Sequence, residues 1–178
     1  FLFQNICKFF KIPYIVSDHN SNKTFEYLRT NKVDLYIISG ARILSKEIIK
    51  VTGGKILNFH PGLLPQVRGL DTLFWSIYLD YPIGITAHFI SPKIDSGQCI
   101  YKEKLSLYED DSLKDISLRL LEKQPDVMIT ALNLLKKGRR AFKNFDLKNT
   151  PYHTKMGQEK EKKVLKLFSH WLKKLSAD

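Results

Sequence analysis

The sequence predicts an α/β domain of Rossmann-like type: an open, mostly parallel sheet with helices on both faces, followed by a basic helical extension at the C-terminus. Three observations predict it. Short apolar runs bounded by Gly, Pro or Ser occur at residues 35–39, 55–60 and 83–90, the signature of buried strands. Helical periodicity separates and follows them. Polar side chains then cluster where those runs end, which is where open α/β sheets build their sites.

Residues 1–10 read as an amphipathic helix feeding a strand at 12–17. They are too short and too interrupted for a membrane span, and they lack the cleavage pattern of a signal peptide. The run Leu-Tyr-Ile-Ile-Ser at 35–39 is a second strand. Gly40 permits a sharp turn after it, and the loop runs into a helix that Ser45 caps and Glu47 complements through the dipole. Residues 55–60 form a central strand delivering Asn58 and His60 to a rim. The following loop becomes an amphipathic helix that buries Leu73, Trp75 and Ile77, with Asp71 as its cap. Residues 83–90, rich in β-branched and aromatic side chains, form another strand carrying His88 near its end, and Asp95 follows on the loop within reach of that imidazole.

Beyond Asp110-Asp-Ser, which caps the next helix, an apolar helical face runs to Leu135 with Pro125 inside it. That pattern predicts two helices or one kinked helix. Residues 136–178 hold thirteen Lys and Arg against four Asp and Glu, a net of +9, which leaves +2 of the total +11 for everything before. Within this tail, Val164, Leu165, Phe168, Trp171, Leu172 and Leu175 recur at helical spacing among lysines. The helix is expected to dock on its own domain or on a second subunit, giving a homodimer. A nucleic-acid surface and a membrane-surface helix are the competing readings.

At 178 residues and 43% hydrophobic content the chain suits one domain with a real core. The expected division is a core at 1–137 and the basic extension at 138–178. Cys7 and Cys99 lie far apart and make no metal-spaced motif, so free thiols in a reducing cytoplasm are expected.

Asn-Phe-His-Pro-Gly-Leu-Leu-Pro at 58–65, Gly-Ile-Thr-Ala-His at 84–88 and Asp-Ser-Gly at 95–97 occur in that order. Singly, each has a bland explanation as a turn former or a core histidine. Together they resemble the folate-dependent formyltransferases over roughly residues 12–135. The resemblance implies a formyl transfer from 10-formyltetrahydrofolate to a primary amine of a small molecule, with Asn58, His88 and Asp95 as the catalytic set and no metal. The chemistry suits the residue types: a carboxamide N–H and an imidazolium can donate to the oxyanion of a tetrahedral intermediate, while a carboxylate orients the ring and helps move the proton.

The same resemblance assigns the segment Gly40, Arg42, Ile43 and Leu44 to the pterin pocket. It gives His60 and Arg68 to the acceptor substrate, against the plainer reading that His60 holds its loop and Arg68 makes a surface pair. Family members open with an additional strand, helix and strand, so a truncated N-terminus is expected. The segment 149–158 is similar to Tyr-rich connectors of sugar N-formyltransferases, which favours a nucleotide-linked amino sugar as acceptor. Glycinamide ribonucleotide and methionyl-tRNA are the alternative acceptors, water the alternative in a formyltetrahydrofolate hydrolase, and a polyanion-binding module the non-enzymatic alternative.

Overall fold

Strands form where apolar residues can be covered on both sides, and the segment Ile-Leu-Asn-Phe-His meets that condition. As β2 (Ile56–His60) it lies at the centre of the domain in a computed structural model that describes residues 2–38, 40, 43–92, 95–138 and 142–176. Before it come α1 (Leu2–Phe9), α2 (Asn22–Thr30), β1 (Tyr36–Ile38) and α3 (Lys46–Val51). After it come β3 (Arg68–Gly69), α4 (Thr72–Tyr78), β4 (Gly84–Phe89), β5 (Cys99–Lys104), α5 (Leu113–Lys136), β6 (Tyr152–His153) and α6 (Gln158–Ser176).

The main sheet has the order β1-β2-β4-β5, with helices on both sides, and β3 pairs with β6 in a second, two-stranded sheet. The main sheet is mixed rather than mostly parallel. Only β1 and β2 run parallel, whereas β2 with β4 and β4 with β5 are antiparallel. The connection from β2 to β4 leaves and re-enters at the same end, so it works as a long hairpin. A link of that length can serve either direction, and strand composition does not encode which.

Residues 12–17 form no strand. They run without regular hydrogen bonding, and Val16 is 73% exposed. Their β-branched composition favours extension, but a strand also needs a neighbour to complete its ladder, and none of the described residues supplies one.

Ser45 caps α3 by accepting from the Ile48 amide at 3.3 Å. Ser112 and Asp115 close a reciprocal capping box on α5. Asp111 instead forms an ion pair with Arg119, Nη1 to Oδ2 at 2.7 Å. α5 is a single helix through Pro125, not two. Asp71 stands at the start of α4 but does not cap it: its carboxylate accepts from the Met156 amide at 2.7 Å, tying α4 to the tail.

The basic tail belongs to the core. Val164, Trp171 and Leu172 of α6 are buried in the cluster that also holds Leu73, Trp75 and Ile77 of α4. Trp171 Nε1 donates to the Tyr81 carbonyl at 3.0 Å. Tail lysines are engaged with the core as well: Lys160 lies over the ring of Trp75 at 4.8 Å, Lys163 over Tyr78 at 5.1 Å, and Lys174 pairs with Asp80. No described helix is long and apolar enough to cross a membrane.

Candidate active site

Side chains two apart on a strand share a face, so Asn58 and His60 of β2 project together. The antiparallel register places Asn58 opposite His88 and His60 opposite Thr86. Asn58 Nδ2 thereby donates to His88 Nε2 at 3.1 Å. Thr86 fastens the loop after β2, donating to the Gly62 carbonyl at 2.7 Å and accepting from the Leu64 amide at 3.1 Å.

Asp95 enters from the loop after β4, in a left-handed conformation with φ 48°. Its Oδ1 is 3.7 Å from His88 Nε2 and its Oδ2 is 3.6 Å from His60 Nδ1. One carboxylate thus faces two imidazoles. Asp95 Oδ2 also accepts from the Gly69 amide at 2.9 Å. His60 Nε2 is 2.7 Å from the Val67 carbonyl, to which it donates, so this ring braces its loop while bordering the site.

His88 is 1% exposed, and burial, which penalises its charged form, pushes its pKa down to about 4 despite the opposing pull of Asp95. His60 pushes the same way as burial. The imidazolium expected from sequence is therefore replaced by a neutral ring. Its Nδ1 donates to the Phe89 carbonyl at 3.0 Å, which leaves the Nε2 lone pair to accept from Asn58. A nearby carboxylate is not enough, because for a ring this buried the cost of charging outweighs the pull of Asp95.

These groups border a cavity of about 480 Å³. Asn58, His60, His88 and Asp95 line its polar side, and Ile38, Ile43, Leu44, Ile49 and Ile90 its apolar side. Such a division fits a flat, largely apolar ring system whose reactive end meets polar groups. Gly40 lines it too, at φ +69°. Arg42 lies outside the described residues. Arg68 is not among the described lining residues: it is 9% exposed and its Nη1 donates to the Thr150 carbonyl at 3.0 Å, a tie to the tail.

Among the lining residues that the sequence reading did not assign to the site, Gly69 and Tyr152 come from distant elements. Gly69 contributes its amide to Asp95, and its φ of +98° is a signal only once the fold is known. Tyr152 reaches the cavity because β6 pairs with β3, setting Tyr152 beside Arg68 and His153 beside Gly69. The tail therefore forms part of the wall.

The family model described as Formyl transferase matches residues 9–132. Phosphoribosylglycinamide formyltransferase of Haemophilus influenzae is 31% identical over 121 residues, covering 67% of this chain and 57% of that protein. Methionyl-tRNA formyltransferase of Fusobacterium nucleatum is 28% identical over 127 residues, covering 70% of this chain and 41% of that protein. Thus the chain spans about half the length of these curated relatives. Among solved structures, the formyltransferase PseJ from Anoxybacillus kamchatkensis, in complex with UDP-4,6-dideoxy-4-formamido-L-AltNAc and tetrahydrofolate, is similar with a TM-score of 0.70 and 25% identity. That likeness covers 99% of this chain and 94% of that one.

Proposed function

Since the chain belongs to the formyl transferase family, with its model matched over residues 9–132, we propose that it transfers a formyl group from 10-formyltetrahydrofolate to the primary amine of a nucleotide-linked amino sugar. The observation that carries this reading is the convergence of Asn58, His88 and Asp95 at one cavity with an apolar wall. Folate fits that wall through Gly40, Ile43 and Leu44. Such substrates place the work in the cytoplasm.

Each group has a role in this reading. Asn58 donates to His88 in the resting site, and on turning from that ring its carboxamide N–H serves the oxygen that gains charge as an amine adds to the formyl carbon. The neutral Nε2 of His88 takes the proton that the attacking nitrogen must lose, once Asn58 turns toward the oxyanion. Asp95, 3.7 Å away, stabilises the imidazolium so formed until the proton passes to the departing nitrogen. Asp95 is itself held by the Gly69 amide and bordered by His60, which keeps the carboxylate aimed.

The acceptor is argued from the tail. Tyr152 offers an aromatic face beside Asp95 and Gly69, suited to a ring of the acceptor, and the PseJ likeness extends through the tail where the two curated relatives match only about two thirds of the chain. The test is a panel of UDP-linked amino sugars, glycinamide ribonucleotide and methionyl-tRNA assayed with 10-formyltetrahydrofolate. Asn58→Ala is expected to lose roughly 100- to 1000-fold in rate. Equal rates for Asn58→Ala and the parent would defeat the mechanism. Tetrahydrofolate release without any amine would instead make the chain a hydrolase.

A further inference from the structure

The cavity's apolar wall includes Ile43 and Leu44, which lie in no strand or helix and run just ahead of Ser45, the cap of α3. Ile43 is 68% exposed and Leu44 only half-buried, so burial alone holds them weakly. Among the described residues, a distant side chain meets them. Asn20 Nδ2 donates to the Ile43 carbonyl at 3.0 Å, and Asn20 Oδ1 accepts from the Ser45 amide at 2.8 Å. A single carboxamide thereby bonds a carbonyl and an amide two residues apart, as a neighbouring strand would.

Asn20 is itself preset. Its own amide donates to Asp18 Oδ1 at 2.8 Å, and the Asp18 carbonyl accepts from the Ser21 amide at 3.1 Å and from Thr24 Oγ1 at 2.6 Å. This turn leads directly into α2, whose N-cap is Ser21. The clamp is therefore anchored to a helix.

We infer that Asn20 is a positioning residue that holds Ile43 and Leu44 against the cavity and thereby sets affinity for the folate co-substrate without touching it. The inference rests on the folate reading given above. It separates affinity from chemistry: Asn58, His88 and Asp95 lie on or after β2 and β4, whereas the hydrogen bonds of Asn20 run to Asp18, Ile43 and Ser45.

Four proteins test it: the parent, Asn20→Ala, Asn20→Asp and Asn31→Ala. Asn31 caps the other end of α2 by donating to the Tyr27 carbonyl at 2.9 Å, so its removal weakens the helix and leaves the clamp in place. Asn20→Ala should raise KM for 10-formyltetrahydrofolate, and Kd for tetrahydrofolate by calorimetry, by at least about fivefold through two lost hydrogen bonds. The kcat and the KM for the amine should stay within about twofold. Asn20→Asp keeps the Ser45 bond but sets a carboxylate oxygen against the Ile43 carbonyl, so it should not restore affinity. The Ser45 amide should exchange its hydrogen faster in Asn20→Ala alone. Unchanged folate affinity in both Asn20 variants overturns the inference, as does an equal loss in Asn31→Ala. A parent protein that binds no tetrahydrofolate removes the folate reading as well.

Discussion

The Gly69 amide donates to Asp95 Oδ2 at 2.9 Å, joining the short β3 strand to the loop that carries the carboxylate. This bond exists because Gly69 lies at φ +98°, a conformation other residues rarely adopt. A Cβ built there would come within 2.0 Å of the His153 carbonyl oxygen and 2.7 Å of the Tyr152 ring. Gly69→Ala should therefore push β6 away and misplace Asp95. Thermal unfolding should show a loss of about 1–3 kcal/mol, with kcat/KM lower by at least roughly tenfold. An alanine variant with parental stability and rate would show that β6 can shift without consequence.

His88 makes stability depend on pH in a defined direction. Its folded pKa of about 4 lies below the ordinary 6.5 that the unfolded chain regains. Above pH 6.5 both states hold a neutral ring, and the stability associated with it is fully present. As the pH falls from 6.5 to about 4, the unfolded chain binds a proton that the folded one refuses, so stability drops and then levels off. The total is on the order of 3 kcal/mol. Urea unfolding of the parent and His88→Gln between pH 7 and 4.5 should show a steeper decline in the parent. His153, whose pKa burial also lowers, is common to both proteins and cancels. Parallel curves would mean that the His88 ring accepts its proton in place.

Arg68 is a strap, and its removal should read as stability rather than recognition. The guanidinium is nearly buried and bonds the Thr150 carbonyl. Arg68→Ala should cost about 1.5–3 kcal/mol, lowering Tm by roughly 4–10 °C. The KM for the amine should change less than about threefold, apart from any drift of Tyr152. A tenfold rise in that KM at unchanged Tm would return Arg68 to the substrate.

How far residues could be read without coordinates depended on the range of their interactions. Asn58 and His88 were legible because each sits in a short apolar run whose end is marked by local punctuation, and the cross-strand register then made them neighbours. Ser45 and Ser112 were legible as caps, since a cap bonds within its own helix turn. Asp71 was not, because its partner amide at Met156 is eighty-five residues away. The same distance problem hid Asn20, Gly69 and Tyr152. Strand direction escaped for a different reason: buried parallel and antiparallel strands share the same composition, and the loop between β2 and β4 is long enough for either. The charge on His88 followed burial, which a nearby Asp in the sequence does not report.

The basic tail is a test of whether charge or packing decides its role. Trp171 is 1% exposed and combines a large apolar surface with the Nε1 bond to the Tyr81 carbonyl. Trp171→Phe should keep most of the packing and lose the bond, at about 1–2 kcal/mol, whereas Trp171→Ala should cost about 3–5 kcal/mol through the cavity it leaves. Because Tyr152 and Met156 precede α6 and are tied to β3 and α4, release of the helix should loosen the cavity wall too. Trp171→Ala should then raise KM for the acceptor while the more conservative Trp171→Phe stays near the parent. If α6 served chiefly to hold polyanions, the alanine variant would instead retain its stability and acceptor KM, and reversing exposed charges at Lys162 and Lys166 would be the change that matters. The burial of Val164, Trp171 and Leu172 favours the first outcome, since a helix that spends its apolar face on α4 is part of the fold before it is a surface for anything else.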